Sequence, residues 1–378
     1  MTGHGVATVA RQEFRLRIRA GRWKALLVVW VAALALFTAV LRLAVDTIDD
    51  LDDDGAVVYG GLVLLVLGLS LLVVPSLAAQ SVNGDRERGT LAALQVTRLS
   101  AAEIAVGKFV AAWGTALLFL ALTLPMALYA ATQGGVGPAR VLVVTLVVAV
   151  LLGTVCAVSL LLSAVLSRTT TSGLLAYLTV AALTIGTLIV FALATAVTTE
   201  SYRVPSEDLF CESEAGYSAW GGPGTPLPPG CQIEQSIYET SRARTDRTWW
   251  LLAPNPFVIV ADVAPALPDP FVPGLEERES IARQQASDLD PLGQIGRGAR
   301  DLRREVLPIE EEIRRAQFSF QEPVDERGVP LSEAERPTAP VWPYGLALHV
   351  LLAAGALALA ARRLHTPSRV LPRGQRVA

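Results

Sequence analysis

The chain contains six apolar runs that are each long enough to cross the hydrocarbon core of a membrane as an α-helix, which takes about 20 apolar residues. The six runs cover residues 24–45, 56–79, 109–131, 141–163, 174–198 and 341–361. Hydrophobic residues make up 52% of the 378 residues and charged residues only 18%, which leaves too little polar surface for a soluble protein of this length. The sequence therefore predicts an all-α integral membrane protein with six transmembrane helices.

Basic residues near both ends of the chain predict the orientation of these spans. Residues 11–24 contain five Arg and one Lys against a single Glu, and the tail 362–378 contains no Asp or Glu. Because Lys and Arg concentrate on the cytoplasmic side of membrane proteins, we expect both termini in the cytoplasm. An even number of spans is then required, and six satisfies it.

Residues 1–23 are predicted to form an amphipathic helix on the cytoplasmic surface of the membrane. Phe14 and Ile18 recur at the helical spacing i, i+4, while Arg15 and Arg19 lie elsewhere around the same helix. Helices of this kind lie at the membrane interface and are attracted to anionic lipids. The alternative is a basic tail that serves only to set the topology.

The long polar segment 199–340 is predicted to lie outside the cell, between the fifth and sixth spans. It contains Cys211 and Cys231, and two cysteines close together on the oxidising side of the membrane favour a disulfide. Two free thiols are the alternative.

Within this segment, residues 249–265 are predicted to form an interfacial or re-entrant element. The stretch is apolar, but it is short, is interrupted by Pro254 and Pro256, and contains Asp262. Irregular backbone of this kind is tolerated at membrane depth only where protein or a water-filled cavity surrounds it. A seventh span would also place the basic C-terminus on the wrong side.

The chain lacks the motifs of membrane enzymes, ion-coupled transporters and nucleotidases. The spans contain no paired Asp and no HExxH zinc motif, and His349 is the only titratable residue deep in a span, where a packing role is favoured. The pair Gly107–Lys108 is followed by Phe109 and does not form a phosphate-binding loop. We therefore expect no catalytic residue, no metal and no bound cofactor, and any ATP hydrolysis would occur on another polypeptide.

The charged stretch 80–108 separates the second and third spans and reads QSVNGDRERGTLAALQVTRLSAAEIAVGK. Leu91 and Leu94 follow Thr90 at helical spacing, which predicts a short surface helix with Thr90 as N-cap. Ser100 and Glu103 match a capping box, S-x-x-E, at the entry to the third helix. A well-capped solvated loop is the alternative interpretation.

This stretch resembles the signature of the ABC-2 type ABC-transporter permeases. These proteins carry Glu-x-Gly-(Thr/Ser)-Leu, then a Leu-x-x-Thr-Pro-Leu-Ser-like stretch, then Glu-Ile and Gly-Lys. The matching residues are Glu87, Gly89, Thr90, Leu91, Leu94, Thr97, Leu99, Ser100, Glu103, Ile104, Gly107 and Lys108. Arg98 stands where many members have Pro, and the segment 199–340 is far longer than the usual outer hairpin of the family.

The resemblance implies a multi-pass permease subunit of an ATP-driven exporter in the bacterial cell membrane. In such permeases the stretch between the second and third spans is a coupling helix that docks on a separate P-loop ATPase, present in two copies, which binds ATP and Mg. The residues expected to contact that ATPase are Arg86, Glu87, Arg88, Gly89, Thr90, Leu91 and Leu94.

The same resemblance implies a homodimer or a pair of different permeases, surrounded by membrane lipid and binding no nucleic acid. The substrate is expected to be hydrophobic or amphipathic, since the spans offer no charged site for a small ion. The alternative function is a membrane-anchored protein whose outer segment 199–340 senses or assembles something without transport.

Overall fold

The computed structural model describes residues 2–19, 21–47, 55–89, 99–211, 227, 229–264, 288–304 and 339–364. The described part is mostly helical, and six of its helices are long and apolar enough to cross a membrane. These helices run Trp23–Val45, Gly55–Glu87, Ala101–Thr132, Pro138–Val165, Thr169–Val197 and Trp342–Leu364. Within the described residues, six helices of sufficient length and apolarity therefore lie close to the six predicted spans.

The helices and strands follow one another in a simple order. The first half of the chain forms α1 (Gly3–Arg19), α2 (Gly21–Val45), α3 (Gly55–Ala78), α4 (Asn83–Glu87), α5 (Ala101–Thr132) and α6 (Pro138–Val165). The fifth span consists of α7 (Thr169–Ala181), a π-helical segment (Ala182–Gly186) and α8 (Thr187–Val197). Then come β1 (Glu200–Cys211), β2 (Cys231–Arg242), α9 (Thr245–Thr248), a 3₁₀ turn (Trp249–Leu251), α10 (Pro256–Val263), α11 (Pro291–Asp301) and α12 (Trp342–Leu364).

The centre of the bundle is formed by α3 and α6, which are apolar around their whole circumference. In each of them 61% of the most apolar stretch is buried, whereas none of the corresponding stretch of the fifth span is buried. Leu62 and Leu67 of α3 and Leu151 and Leu152 of α6 are almost completely buried in the main core. A helix that is apolar all round suits either a protein core or a lipid environment; α3 and α6 are buried in the core, whereas the fifth span is not.

Two ends of the bundle can be distinguished, because the long helices alternate in direction. What we call the α1 end contains α1, α4, the beginning of α5 and the beginning of α7, which hydrogen bonds join. What we call the hairpin end contains β1, β2 and α9 to α11, together with the beginning of α12.

The helix of the third span, α5, begins at Ala101, eight residues before the start of the predicted span at residue 109. The capping box is confirmed: the Ser100 hydroxyl accepts from the Glu103 amide at 3.2 Å, and the Glu103 carboxylate accepts from the Ser100 amide at 2.8 Å. This helix includes Lys108. Hydropathy places that charge outside the span, but within the fold acidic side chains form ion pairs with it.

A two-stranded antiparallel sheet follows the fifth span, so the all-α prediction is incomplete. The strands pair from Glu200 opposite Arg242 to Cys211 opposite Cys231, and a disulfide joins these two cysteines. Pro205 in β1 made a strand hard to predict, because proline cannot donate to a ladder. In a two-stranded sheet each strand keeps one free edge, which is where proline is tolerated.

Candidate functional site

The predicted coupling residues divide between α4 and the segment that follows it. Arg86 and Glu87 are the last residues of α4, with Arg86 half-buried and Glu87 exposed. Arg88 and Gly89 are exposed, and Gly89 has a φ of 70°, the left-handed conformation that favours glycine after a helix end. The remaining three predicted residues lie outside the described residues: Thr90, Leu91 and Leu94.

Hydrogen bonds attach α4 to the end of α6 and the start of α7. The buried Asn83 side chain donates to the Ser172 hydroxyl at 3.1 Å. The Ser163 hydroxyl accepts from the Asn83 amide at 3.1 Å, and the Arg86 guanidinium donates to the Leu166 carbonyl at 3.3 Å. Since buried polar groups cost free energy unless they are hydrogen-bonded, these contacts fix the position of α4 on the bundle.

A buried ammonium group joins three helices directly beside α4. The Lys108 side chain is fully buried in α5, and it forms ion pairs with Asp85 of α4 and Glu13 of α1. It also donates to the Ser81 carbonyl at 3.0 Å, while Asp85 pairs with the exposed Arg88 at 3.0 Å. We call Lys108, Asp85 and Glu13 the Lys108 cluster. A buried cation requires such partners, because an isolated buried charge is strongly unfavourable.

The segment predicted to be an interfacial helix contains the helix α1. Arg15 and Arg19 are exposed, Phe14 is half-buried, and Ile18 lies in the last turn. Contact between these exposed basic residues and anionic lipid stays a prediction.

Other side chains of α1 pack tightly against α5 and α3. A Cβ added to Gly107 would lie 2.6 Å from the Val9 Cβ atom, so these helices approach closely at a glycine. The Arg17 guanidinium donates to the Leu77 carbonyl at 2.9 Å, and burial lowers the pKa of Arg17 from its ordinary value. Thus α1 is held to the bundle by packing and by charge.

At the opposite end, residues 249–264 form a largely buried element, with Trp250 exposed, that hydrogen bonds join to the π segment, α11 and α12. Its helix α10 has eight residues, about 12 Å at 1.5 Å per residue, which is too short to cross a membrane. Asn255 begins α10 as its N-cap and donates to the Thr184 carbonyl at 2.8 Å and the Thr187 hydroxyl at 2.9 Å, beside the π segment. The His349 ring lies 2.9 Å from the Pro254 carbonyl.

Asp262 has a structural role that the sequence analysis missed. Its carboxylate, completely buried, accepts from the amides of Val341 and Trp342 at 2.6 and 2.7 Å and pairs with the Arg300 guanidinium at 2.5 Å. It therefore satisfies free amides at the start of α12, as an N-terminal anion does. Hydropathy treats Asp262 only as an interruption of an apolar run.

The Lys108 cluster was also missed. The sequence signal that could have indicated it is a lone Lys directly before an apolar run, in a chain with only two Lys residues. Its partners Asp85 and Glu13 lie 23 and 95 residues away, so no local pattern connects them.

Comparison with known proteins does not assign a family or a function to this site. The chain matches no protein-family model, and it matches no curated protein at a significant level.

Proposed function

We propose that this chain is the permease subunit of an ATP-driven ABC-2 type exporter in the bacterial cell membrane. The observation that supports the proposal best is the connection between α4 and the Lys108 cluster. Glu87 and Arg88 are exposed at the end of α4. Asp85 lies two residues before Glu87 in the same helical turn and is ion-paired to Lys108 of α5. A displacement of the exposed charges would thus move α4, α5 and α1 together.

The exposed charges have the chemistry of a polar docking surface. Adjacent charges of opposite sign, here Glu87 and Arg88, give specificity for a partner surface with the complementary pattern. Two copies of a P-loop ATPase would close when they bind ATP and Mg, and the movement of their surfaces would reorient the spans. Two permease subunits, identical or paired, would enclose the path of a hydrophobic or amphipathic substrate.

The test is co-purification of the ATPase from native membranes in mild detergent, with associated proteins identified by mass. Glu87→Arg reverses one exposed charge, and we expect the recovered ATPase to fall about tenfold or more, since like-charge contact costs several kcal/mol. Glu87→Gln keeps a hydrogen-bond acceptor for the Thr169 amide and should be intermediate. The matched control is Arg304→Glu, a charge reversal at the hairpin end, where the side chain is 45% exposed.

Loss of the ATPase in Glu87→Arg but not in Arg304→Glu supports coupling through α4. Equal recovery with all variants contradicts it, and so does the absence of any P-loop ATPase from the wild-type preparation.

An extracytoplasmic sensing or assembly function is the second candidate, because the hairpin exposes apolar side chains. Phe210 is 52% and Ile237 is 74% exposed, and a two-stranded hairpin is only marginally stable without further packing. If shortening the hairpin abolishes the cellular phenotype while Glu87→Arg leaves it unchanged, this second function is favoured.

A further inference from the structure

The helix α11 docks across the beginnings of α3 and α6 at the hairpin end of the bundle. Asp290, its N-cap, forms an ion pair with Arg140 of α6 at 2.5 Å. Pro291, its first residue, lies so close to Gly60 of α3 that an added Cβ would be 2.9 Å from the proline ring. The Leu292 side chain is completely buried in the main core. Three consecutive residues therefore attach the start of α11 to the bundle.

The rest of α11 contributes few buried side chains. Three of its eleven residues are buried, and apart from Leu292 these are the small residues Gly296 and Ala299. The helix also contains three glycines, and glycine is the least favourable residue in a helix interior after proline. Short helices of this kind are stabilised by packing and not by their own propensity. The stability of α11 therefore depends on its docked position.

The ion pair between Arg140 and Asp290 is buried, but its hydrogen bonding is incomplete. The two side chains are 4% and 0% exposed. Within the described part of the chain, the Nε and Nη1 atoms of Arg140 and the Oδ1 atom of Asp290 are buried without a hydrogen-bond partner. Burial of unpaired polar atoms is unfavourable. Because water reaches these three atoms when α11 leaves, undocking recovers part of its own free-energy cost.

The neighbouring helix α10 keeps its own attachments when those of α11 are broken. Asp262 of α10 pairs with Arg300 of α11, but it also accepts from the amides of Val341 and Trp342. Its carboxylate therefore retains two donors without α11, while Arg300, which is 32% exposed, is hydrated. Asn255 holds the start of α10 to the fifth span. The two helices can thus separate at their shared contact.

We propose that α11 is a releasable strap, which undocks from α3 and α6 while α10 and the six spans stay in place. The step separates Asp290 from Arg140 and withdraws Leu292 from the core. It requires only this chain. A use of the strap in releasing a substrate at the hairpin end would rest on the proposed export function.

Thiol labelling of the full chain in detergent tests the proposal, with a water-soluble maleimide as the probe. Leu292→Cys places a buried thiol on α11, and Ile259→Cys places an equally buried thiol on α10. The natural cysteines give little background, because Cys156 is buried and the other two form a disulfide. While tryptophan fluorescence shows a folded bundle, Leu292→Cys should react at least about tenfold faster than Ile259→Cys, since local opening exceeds global unfolding. Equal rates contradict the strap.

Hydrogen exchange of the natural chain excludes an effect of the new cysteine itself. After correction for intrinsic rates, the amides of α11 should be less protected than those of α10, because undocking exposes only the former. If both helices are equally protected, the proposal fails. Since neither assay contains the ATPase, a failure of coupling in the co-purification experiment would not affect it.

A matched pair of glycine variants tests whether the docked position limits the labelling. In Gly60→Ala the new Cβ would lie 2.9 Å from the Pro291 ring and from the Asp290 Oδ1 atom, so the labelling of Leu292→Cys should rise about tenfold. In Gly68→Ala, on the same helix, the nearest atom outside the helix would be 3.9 Å away, and the rate should not change. Equal effects of the two variants overturn the proposal.

Charge variants test whether the ion pair holds the strap. Arg140→Met leaves Asp290 unpaired, so labelling of Leu292→Cys should rise about 100-fold, as expected for a buried pair that loses one partner. The double variant Arg140→Met, Asp290→Asn keeps a good N-cap residue without a charge, and its labelling rate should return close to that of the natural pair. Equal rates in the single and double variants contradict a strap held by this ion pair.

Discussion

Replacing Lys108 by Met should destabilise the protein substantially, because it leaves two carboxylates facing each other without their cation. The Lys108 side chain is 0% exposed, and the side chains of Asp85 and Glu13 are 12% and 20% exposed. Removing one member of a buried ion pair costs about 3–5 kcal/mol. We take the lower end, about 3 kcal/mol, because both carboxylates keep some contact with water and Asp85 retains its bond to Arg88.

The measurement is thermal unfolding in detergent, followed by tryptophan fluorescence. At about 2 °C per kcal/mol for a large chain, Lys108→Met should lower Tm by about 6 °C. The triple variant Lys108→Met, Asp85→Asn, Glu13→Gln removes the orphaned charges and should regain most of this loss, since neutral replacements of a buried ion pair are often tolerated.

The comparison between the single and triple variants decides the argument. If Lys108→Met unfolds at the wild-type temperature, the three charges do not stabilise the α1 end. If the triple variant is no more stable than Lys108→Met, the loss comes from packing of the Lys108 side chain and not from charge.

Three further predictions concern the hairpin end. Gly345→Ala should prevent α12 from docking, because the new Cβ would collide with the Ala253 carbonyl oxygen just before α10. The control Gly355→Ala adds a Cβ into open space and should behave as wild type. The yield of folded protein in size-exclusion chromatography measures both effects. Cys211→Ser opens a disulfide with a sequence separation of 20 residues, and proteolysis of the hairpin should accelerate while the spans stay intact, because the open hairpin is less constrained. The Arg244 guanidinium lowers the pKa of Asp246 below its ordinary value of 3.8, so this pair stabilises the hairpin base above that pH and is lost as the pH falls below it. The protection of the amides at the base against hydrogen exchange, corrected for the intrinsic pH dependence of exchange, should be unchanged from pH 7 to 5 and lower in strong acid.

The spans could be predicted from the sequence, whereas most contacts that fix their arrangement could not. Hydropathy is a local property, so a run such as 141–163 identifies its own helix. An ion pair such as Arg140 with Asp290, both buried, joins residues that are 150 positions apart. No sequence pattern within either neighbourhood indicates the other.

The candidate site shows the same division. The capping box at Ser100 and Glu103 was predictable, because the two residues interact across three positions. The exposure of Glu87 and Arg88 agrees with a charged interruption between apolar runs, whereas the burial of Asp85 two residues earlier does not follow from the same pattern. The roles assigned to Thr90, Leu91 and Leu94 stay predictions.

The π segment Ala182–Gly186 affects how the number of residues in the fifth span determines the direction in which the side chains of α8 point. A π turn contains about one residue more than an α turn, and each residue of an α-helix turns the following side chains by about 100°. The π turn takes up this extra residue within one turn, so α8 keeps about the direction that it would have in a continuous α-helix one residue shorter. Deleting a single residue from the π segment would therefore leave the outward face of α8 nearly unchanged, whereas deleting one from the regular part of α7 would rotate the whole of α8 by about 100°.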